Sequence, residues 1–122
     1  MNQELQFTKL FAWQKSHELT IKTYQIVKNF PQHEQFALSD QMRRCSNSIA
    51  ANIAEGYSQN TRLSKSRYYS IARGSLTELQ NHLLLAEKVK YIDQETLDNM
   101  INLTIEVHKL INGMLHTIKS WS

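Results

Sequence analysis

The chain's five histidines and single cysteine are the residues best suited to chemistry, because imidazole and thiol can titrate, attack or ligate a metal near neutral pH. A carboxylate-bridged di-metal bundle needs Glu-x-x-His pairs, which project two ligands from one helix one turn apart. None of His17, His33, His82, His108 and His116 has a glutamate three residues before it. Glu78 and His82 are four apart, the spacing of a surface hydrogen bond or weak ion pair along a helix. His17 lies on an apolar helical stripe, His108 and His116 are two turns apart, and His33 falls in an expected loop. Cys45 has no second thiol or spaced histidine pair beside it and reads as a small core residue. No acid is placed to complete a triad with a serine or with Cys45, and no Gly-rich phosphate loop, CxxC pair or HExxH occurs. The expectation is no catalytic site, no cofactor and no metal, so the chain is not read as an enzyme.

Two other stretches draw attention. "NSIAANIAEGYSQ" sets Asn52, Glu55 and Gly56 among small and apolar residues. Between Gln41 and Arg73 six cations, Arg43, Arg44, Arg62, Lys65, Arg67 and Arg73, face one acid, Glu55, within a chain of net charge +3. Such a segment is either a solvated face or a phosphate-binding patch, with Tyr57, Tyr68 and Tyr69 available to stack on bases.

The elements that position these groups are helices. With 122 residues, three glycines and one proline, the sequence fits one all-α domain spanning residues 1–122. Helices are expected over about 10–29, 38–57, 63–90 and 94–120, joined by short connections and packed as an antiparallel up-down-up-down four-helix bundle. Leu10, Trp13, His17, Ile21, Tyr24 and Val27 or Lys28 mark the inner face of the first, and Pro31 takes the chain out of it. Leu38, Met42, Cys45, Ile49 and Ile53 mark the second, with Ser39 or Asp40 as its cap and Gly56 near its end. Tyr68, Ala72, Ser75, Leu76, Leu79, Leu83, Ala86 and Val89 or Lys90 mark the third, and Asp93 caps the fourth. Leu83, Leu84 and Leu85 cannot all face one core, and the broad apolar surfaces of the last two helices suggest self-association. No run approaches the roughly 18 apolar residues of a membrane span, nor does the start resemble a signal peptide; a cytoplasmic protein is expected.

Several separated pieces agree in order with a known family. Trp13-Gln14-Lys15 with His17-Glu18-Leu19, Phe30-Pro31, Gln41 with Arg43-Arg44, Ser48-Ile49, Asn52-Ile53-Ala54-Glu55-Gly56, and Ala72-Arg73-Gly74-Ser75 with Glu78-Leu79 resemble the four-helix-bundle proteins encoded in intervening sequences of bacterial 23S ribosomal RNA genes. The likeness covers about Phe11 to Ile92, departing at Ala50, where the family often has proline, and at Ala37, where it often has glycine. It implies an antiparallel bundle that assembles as a homopentamer, with no known catalytic activity. The family is also similar to the accessory protein of diversity-generating retroelements, a basic pentameric barrel that binds a reverse transcriptase and nucleic acid.

Two functions follow as expectations. One is a non-enzymatic, oligomeric binder of nucleic acid, RNA in particular, or an RNA-protein adaptor, acting through Arg43, Arg44, Arg62, Lys65, Arg67 and Arg73. The other is a protein-binding scaffold whose cations are solvated or internally paired. In either, Asn52, Glu55, Gly56, Arg73, Gly74 and Ser75 form a packing signature: Glu55 or Asn52 bonds Arg73 or the neighbouring backbone, while Ala50, Ala51, Ala54 and Gly74 let two helices approach.

Overall fold

The apolar residues at steps of four and three from Leu38 to Ile53 make the most regular stripe in the chain, and in the computed structural model, which describes residues 5–120, that segment is a helix, α2 (Leu38–Tyr57). Residues 1–4 and 121–122 of the expected domain lie outside the described residues. Its companions are α1 (Phe11–Val27), α3 (Arg62–Lys88) and α4 (Gln94–Ile118), with short 3-10 turns at Gln6–Lys9 and Gln32–Glu34. Each helix packs on its sequence neighbours and α1 closes against α4, while the diagonal pairs do not approach. This is the up-down-up-down bundle, and its centre is filled by Leu19, Met42, Ile49, Ile53, Leu76, Leu79, Leu83, Val107 and Ile111.

The helix ends follow capping chemistry. Asp93 accepts from the backbone N–H of Thr96 at 2.8 Å, as expected, and Thr61 accepts from Ser64 N–H at 3.1 Å to open α3. For α2 the expectation is corrected. Ser39 and Asp40 lie inside the helix, the N-cap is Ala37, and Glu34 Oε1 accepts the Leu38 N–H from the preceding turn. That carboxylate also accepts from Tyr91 Oη at 2.8 Å, and the two bonds hold the Glu34 carboxyl below its ordinary range. α3 ends in a Schellman turn: Lys90 takes φ 70°, Tyr91 N–H donates to Ala86 O and Lys90 N–H to Glu87 O.

α1 is rotated from its expected face: Val27 is buried and Leu10 and Trp13 pack on the core as expected, but the middle of the stripe is not inward. His17, Ile21 and Tyr24 are exposed, whereas Ala12, Ser16, Leu19, Thr20, Thr23 and Val27 are buried. The buried hydroxyls bond back into their own helix, Ser16 Oγ to Ala12 O at 2.6 Å and Thr23 Oγ1 to Leu19 O at 2.8 Å. Thr20 Oγ1 donates to Ser16 O and lies 2.9 Å from Ser46 O on α2. With their hydrogen bonds satisfied, these small side chains lose little on burial and let α1 lie close to α2. On α3 the buried aromatic is Tyr69, with Tyr68 half-buried beside it. Leu83 is fully buried while Leu84 and Leu85 remain 53% and 47% exposed, so the triple-leucine run divides as its angular spread requires.

Candidate functional site

Ser48 Oγ and Ser75 Oγ lie 2.9 Å apart, which fixes the register of α2 against α3 and so the placement of every cation on them. Arg43 and Arg44 then stand level with Leu79 and Gln80, and Arg73 with Ala50, about six residues or roughly 9 Å further along. Arg62 and Lys65 are at the far end, beside the α2–α3 turn. The six candidate cations therefore spread along the helix pair and do not form one cluster.

Their environments also differ. Arg44 is largely exposed and its Nε donates to Asp40 Oδ2 at 2.8 Å. Arg43 reaches Gln35 O at 2.9 Å and lies 3.8 Å from the same aspartate. Arg62 Nη1 donates to Lys119 O at 3.2 Å, and Arg67 is exposed. Arg73 is half-buried and donates to Asn112 Oδ1 on α4 at 2.9 Å. Lys65 is the exception, only 7% exposed: its Nζ donates to Tyr57 O at 2.7 Å and Gly56 O at 3.2 Å and sits 5.2 Å from the Tyr57 ring centroid. There it neutralises the carbonyl end of α2, where the helix dipole is negative, and burial pulls its pKa down. Within one chain, Lys65 caps the carbonyl end of α2.

The packing signature is redistributed in the same way. Asn52 Nδ2 donates to Ser48 O at 2.8 Å and contacts Ser48 Oγ at 3.0 Å, so it reaches α3 through Ser48 and Ser75 and does not bond Arg73. Glu55 is exposed, and its backbone carbonyl accepts from Ser58 and Gln59. A Cβ on Gly74 would meet nothing within 4 Å, whereas one on Gly56 would lie 2.6 Å from Tyr69 Cε1 and 3.0 Å from Tyr68 Cβ. The close-approach glycine is thus Gly56, which lies inside α2, one residue before its end. The expected bond of Asn52 or Glu55 to Arg73 and the expected close approach at Gly74 are corrected: Arg73 bonds Asn112 on α4 instead, and the close contact falls at Gly56, where the helices converge on the Tyr69 ring.

A second polar group, set aside on spacing alone, comes together between α2 and α3. His82 is 8% exposed, and its Nε2 lies 3.1 Å from Glu78 Oε2, so the pair is a bond at the edge of the core and not a surface contact. Ligand atoms of Cys45, Glu78 and His82 all lie within 4.8 Å of one another. His82 Nδ1 is buried without a hydrogen-bond partner among the described residues. The arrangement has the parts of a thiol-imidazole-carboxylate triad, yet Cys45 is buried, and desolvation, aided by Glu78, pushes its thiol up to about 12. A thiol in that state is a poor nucleophile. The spacing of four was legible in the sequence; the approach of Cys45 depends on helix register, which it does not encode locally.

At one end of the bundle Leu10, Phe11, Tyr57, Tyr69, Leu110 and Met114 contribute to a cleft of about 450 Å³ with Lys65 in its wall. No helix among the described residues is long and apolar enough to cross a membrane.

These features define a class, the all-helical bundle of four antiparallel helices. Residues 8–113 match the family model described as 23S rRNA-intervening sequence protein, and the chain belongs to that family. The fold is shared with a crystal structure, at 1.70 Å resolution, of a protein of unknown function from the S23 ribosomal protein family of Bacteroides thetaiotaomicron VPI-5482. That protein is 25% identical, with 86% of this chain and 95% of the other covered and a TM-score of 0.80. No curated protein matches the chain. No enzymatic family is indicated by these matches.

Proposed function

We propose that the protein is a non-enzymatic adaptor that works as a homo-oligomer, a pentamer on the family resemblance, and binds structured nucleic acid, RNA in particular. The observation that carries this reading is the six-to-one excess of cations over acids between Gln41 and Arg73. Arg44, Arg62 and Arg67 from that segment are exposed on α2 and α3. One chain at +3 is a weak polycation, but copies arranged around an axis present the same arginines repeatedly to one phosphate backbone. The apolar residues left outside the core, Leu84 and Leu85 on α3, Val89 just after it, Ile105 on α4 and Ile21 on α1, support self-association. The test is a mobility shift with structured RNA and with duplex DNA at low salt, alongside light scattering at micromolar protein. The proposal expects an oligomer and a retarded RNA whose affinity falls steeply with salt. Failure of both nucleic acids to bind rejects it.

A second reading, a scaffold for a protein partner, draws on the apolar cleft between Phe11, Tyr57 and Met114. Charge reversal at Arg62 and Arg67 separates the two: loss of RNA binding by an intact oligomer supports the first, and unchanged partner capture supports the second.

A further inference from the structure

We propose that Cys45, Glu78 and His82 form a binding site for one thiophilic divalent metal ion of the zinc class, held between α2 and α3. The donor set is one thiolate sulfur, one imidazole nitrogen and one carboxylate oxygen, a mixture that suits zinc and not a hard cation such as magnesium. The three ligand atoms already lie within 4.8 Å of one another. Ligands of a tetrahedral zinc with one sulfur are roughly 3.3–3.6 Å apart, given bonds of about 2.0–2.3 Å, so binding requires contraction by at most about 1.2–1.3 Å between sulfur and the other two ligands. The 3.1 Å separation of His82 Nε2 and Glu78 Oε2 is already near that range.

Burial separates this group from an ordinary i, i+4 pair. The His82 side chain is only 11% exposed, and Nδ1, the ring nitrogen that does not face Glu78, has no partner among the described residues. An imidazole used only to bond a surface glutamate would turn its other nitrogen to water. Cys45 comes from a different helix, so the ion would link α2 to α3 close to the Ser48–Ser75 contact. The Glu78 side chain is 53% exposed and gives the ion a route in and the complex an open fourth position for water. Because thiol and imidazole must both be deprotonated to bind, uptake releases protons.

The probe is cobalt(II), added to the metal-stripped full chain and then displaced by zinc(II). The expected result is one equivalent per chain, a near-ultraviolet thiolate-to-cobalt charge-transfer band that zinc abolishes, and a rise in melting temperature with zinc. Cys45→Ala removes the band and weakens zinc binding by at least 100-fold, as does His82→Gln, while Glu78→Gln weakens it by at least about tenfold. Binding of cobalt with no charge-transfer band, or equal zinc affinity in Cys45→Ala, overturns the proposal, as does the lack of a stoichiometric site at tens of micromolar metal. The band is read on the unaltered chain, so a variant that fails to fold does not remove the test.

Discussion

Two polar sites occupy the same helix interface and are built to opposite rules. At the turn end, Lys65 is buried, but its ammonium donates to Gly56 O and Tyr57 O and lies near the Tyr57 ring. Toward the other end, His82 is as deeply buried and leaves Nδ1 without a partner. A charge whose donors meet helix-end carbonyls stabilises the joint it sits in, whereas an unpaired buried nitrogen costs about 1–3 kcal/mol unless something binds it. The first site is therefore complete within one chain, whereas the second leaves one ring nitrogen unmatched among the described residues.

The largest effect that sharpens this contrast falls at the turn. Gly56→Val places a branched side chain where a Cβ alone would lie 2.6 Å from the Tyr69 ring, and is expected to destabilise the fold by about 3 kcal/mol or more in urea denaturation. Lys65→Met keeps the buried stem but leaves two carbonyls without their charged donor, and should cost about 2 kcal/mol in the same assay. It should leave the salt dependence of RNA binding unchanged, because Lys65 is spent on the helix end. Arg67→Glu should do the reverse, leaving stability within about 0.5 kcal/mol while lowering the RNA salt slope by about one. In metal-free buffer, His82→Leu should be neutral or stabilising by up to about 1 kcal/mol, since it removes an unpaired polar atom at similar volume. A clear loss of stability there would show that the orphaned nitrogen is not a liability and would erase the contrast.

The smallest effect lies outside α2 and α3. Glu34 is held below the ordinary carboxylate range by the hydroxyl of Tyr91, then by Leu38 N–H, and Asp93 by its bonds to Thr96. A depressed folded pKa contributes stability above the unfolded value that is lost as pH falls through the folded one. An acid titration of melting temperature should therefore show a decline below the ordinary carboxylate range that is shallower in Glu34→Gln.

Where one face of a helix is aliphatic, the fold was legible in the sequence: Leu38 to Ile53 lies inward as its spacing requires, and Asp93 caps α4. Where burial is achieved by small hydroxyl side chains, hydropathy points the wrong way, and α1 turned out to hide Ser16, Thr20 and Thr23 while showing Ile21 and Tyr24. The candidate sites were less legible for a related reason. Lys65 stands out in the sequence by its charge alone, whereas its bonds to the carbonyls of Gly56 and Tyr57, nine and eight residues back, are visible only in the fold. Glu78 and His82 could be paired from spacing, whereas adding Cys45 required the register set by Ser48 and Ser75.

The hydroxyl-lined face of α1 has a kinetic consequence. A helix whose buried set is Leu19 and Val27 with Ala12, Ser16, Thr20 and Thr23 fully buries fewer large apolar side chains than α2 or α3 does, so detaching it exposes less and costs less. Opening of α1 should be the lowest-energy partial unfolding of the bundle, visible as earlier amide exchange in Phe11–Val27 than at the centres of α2 and α3. The helix whose outer side carries Ile21 and Tyr24 would then also be the one most easily repositioned when another surface covers it.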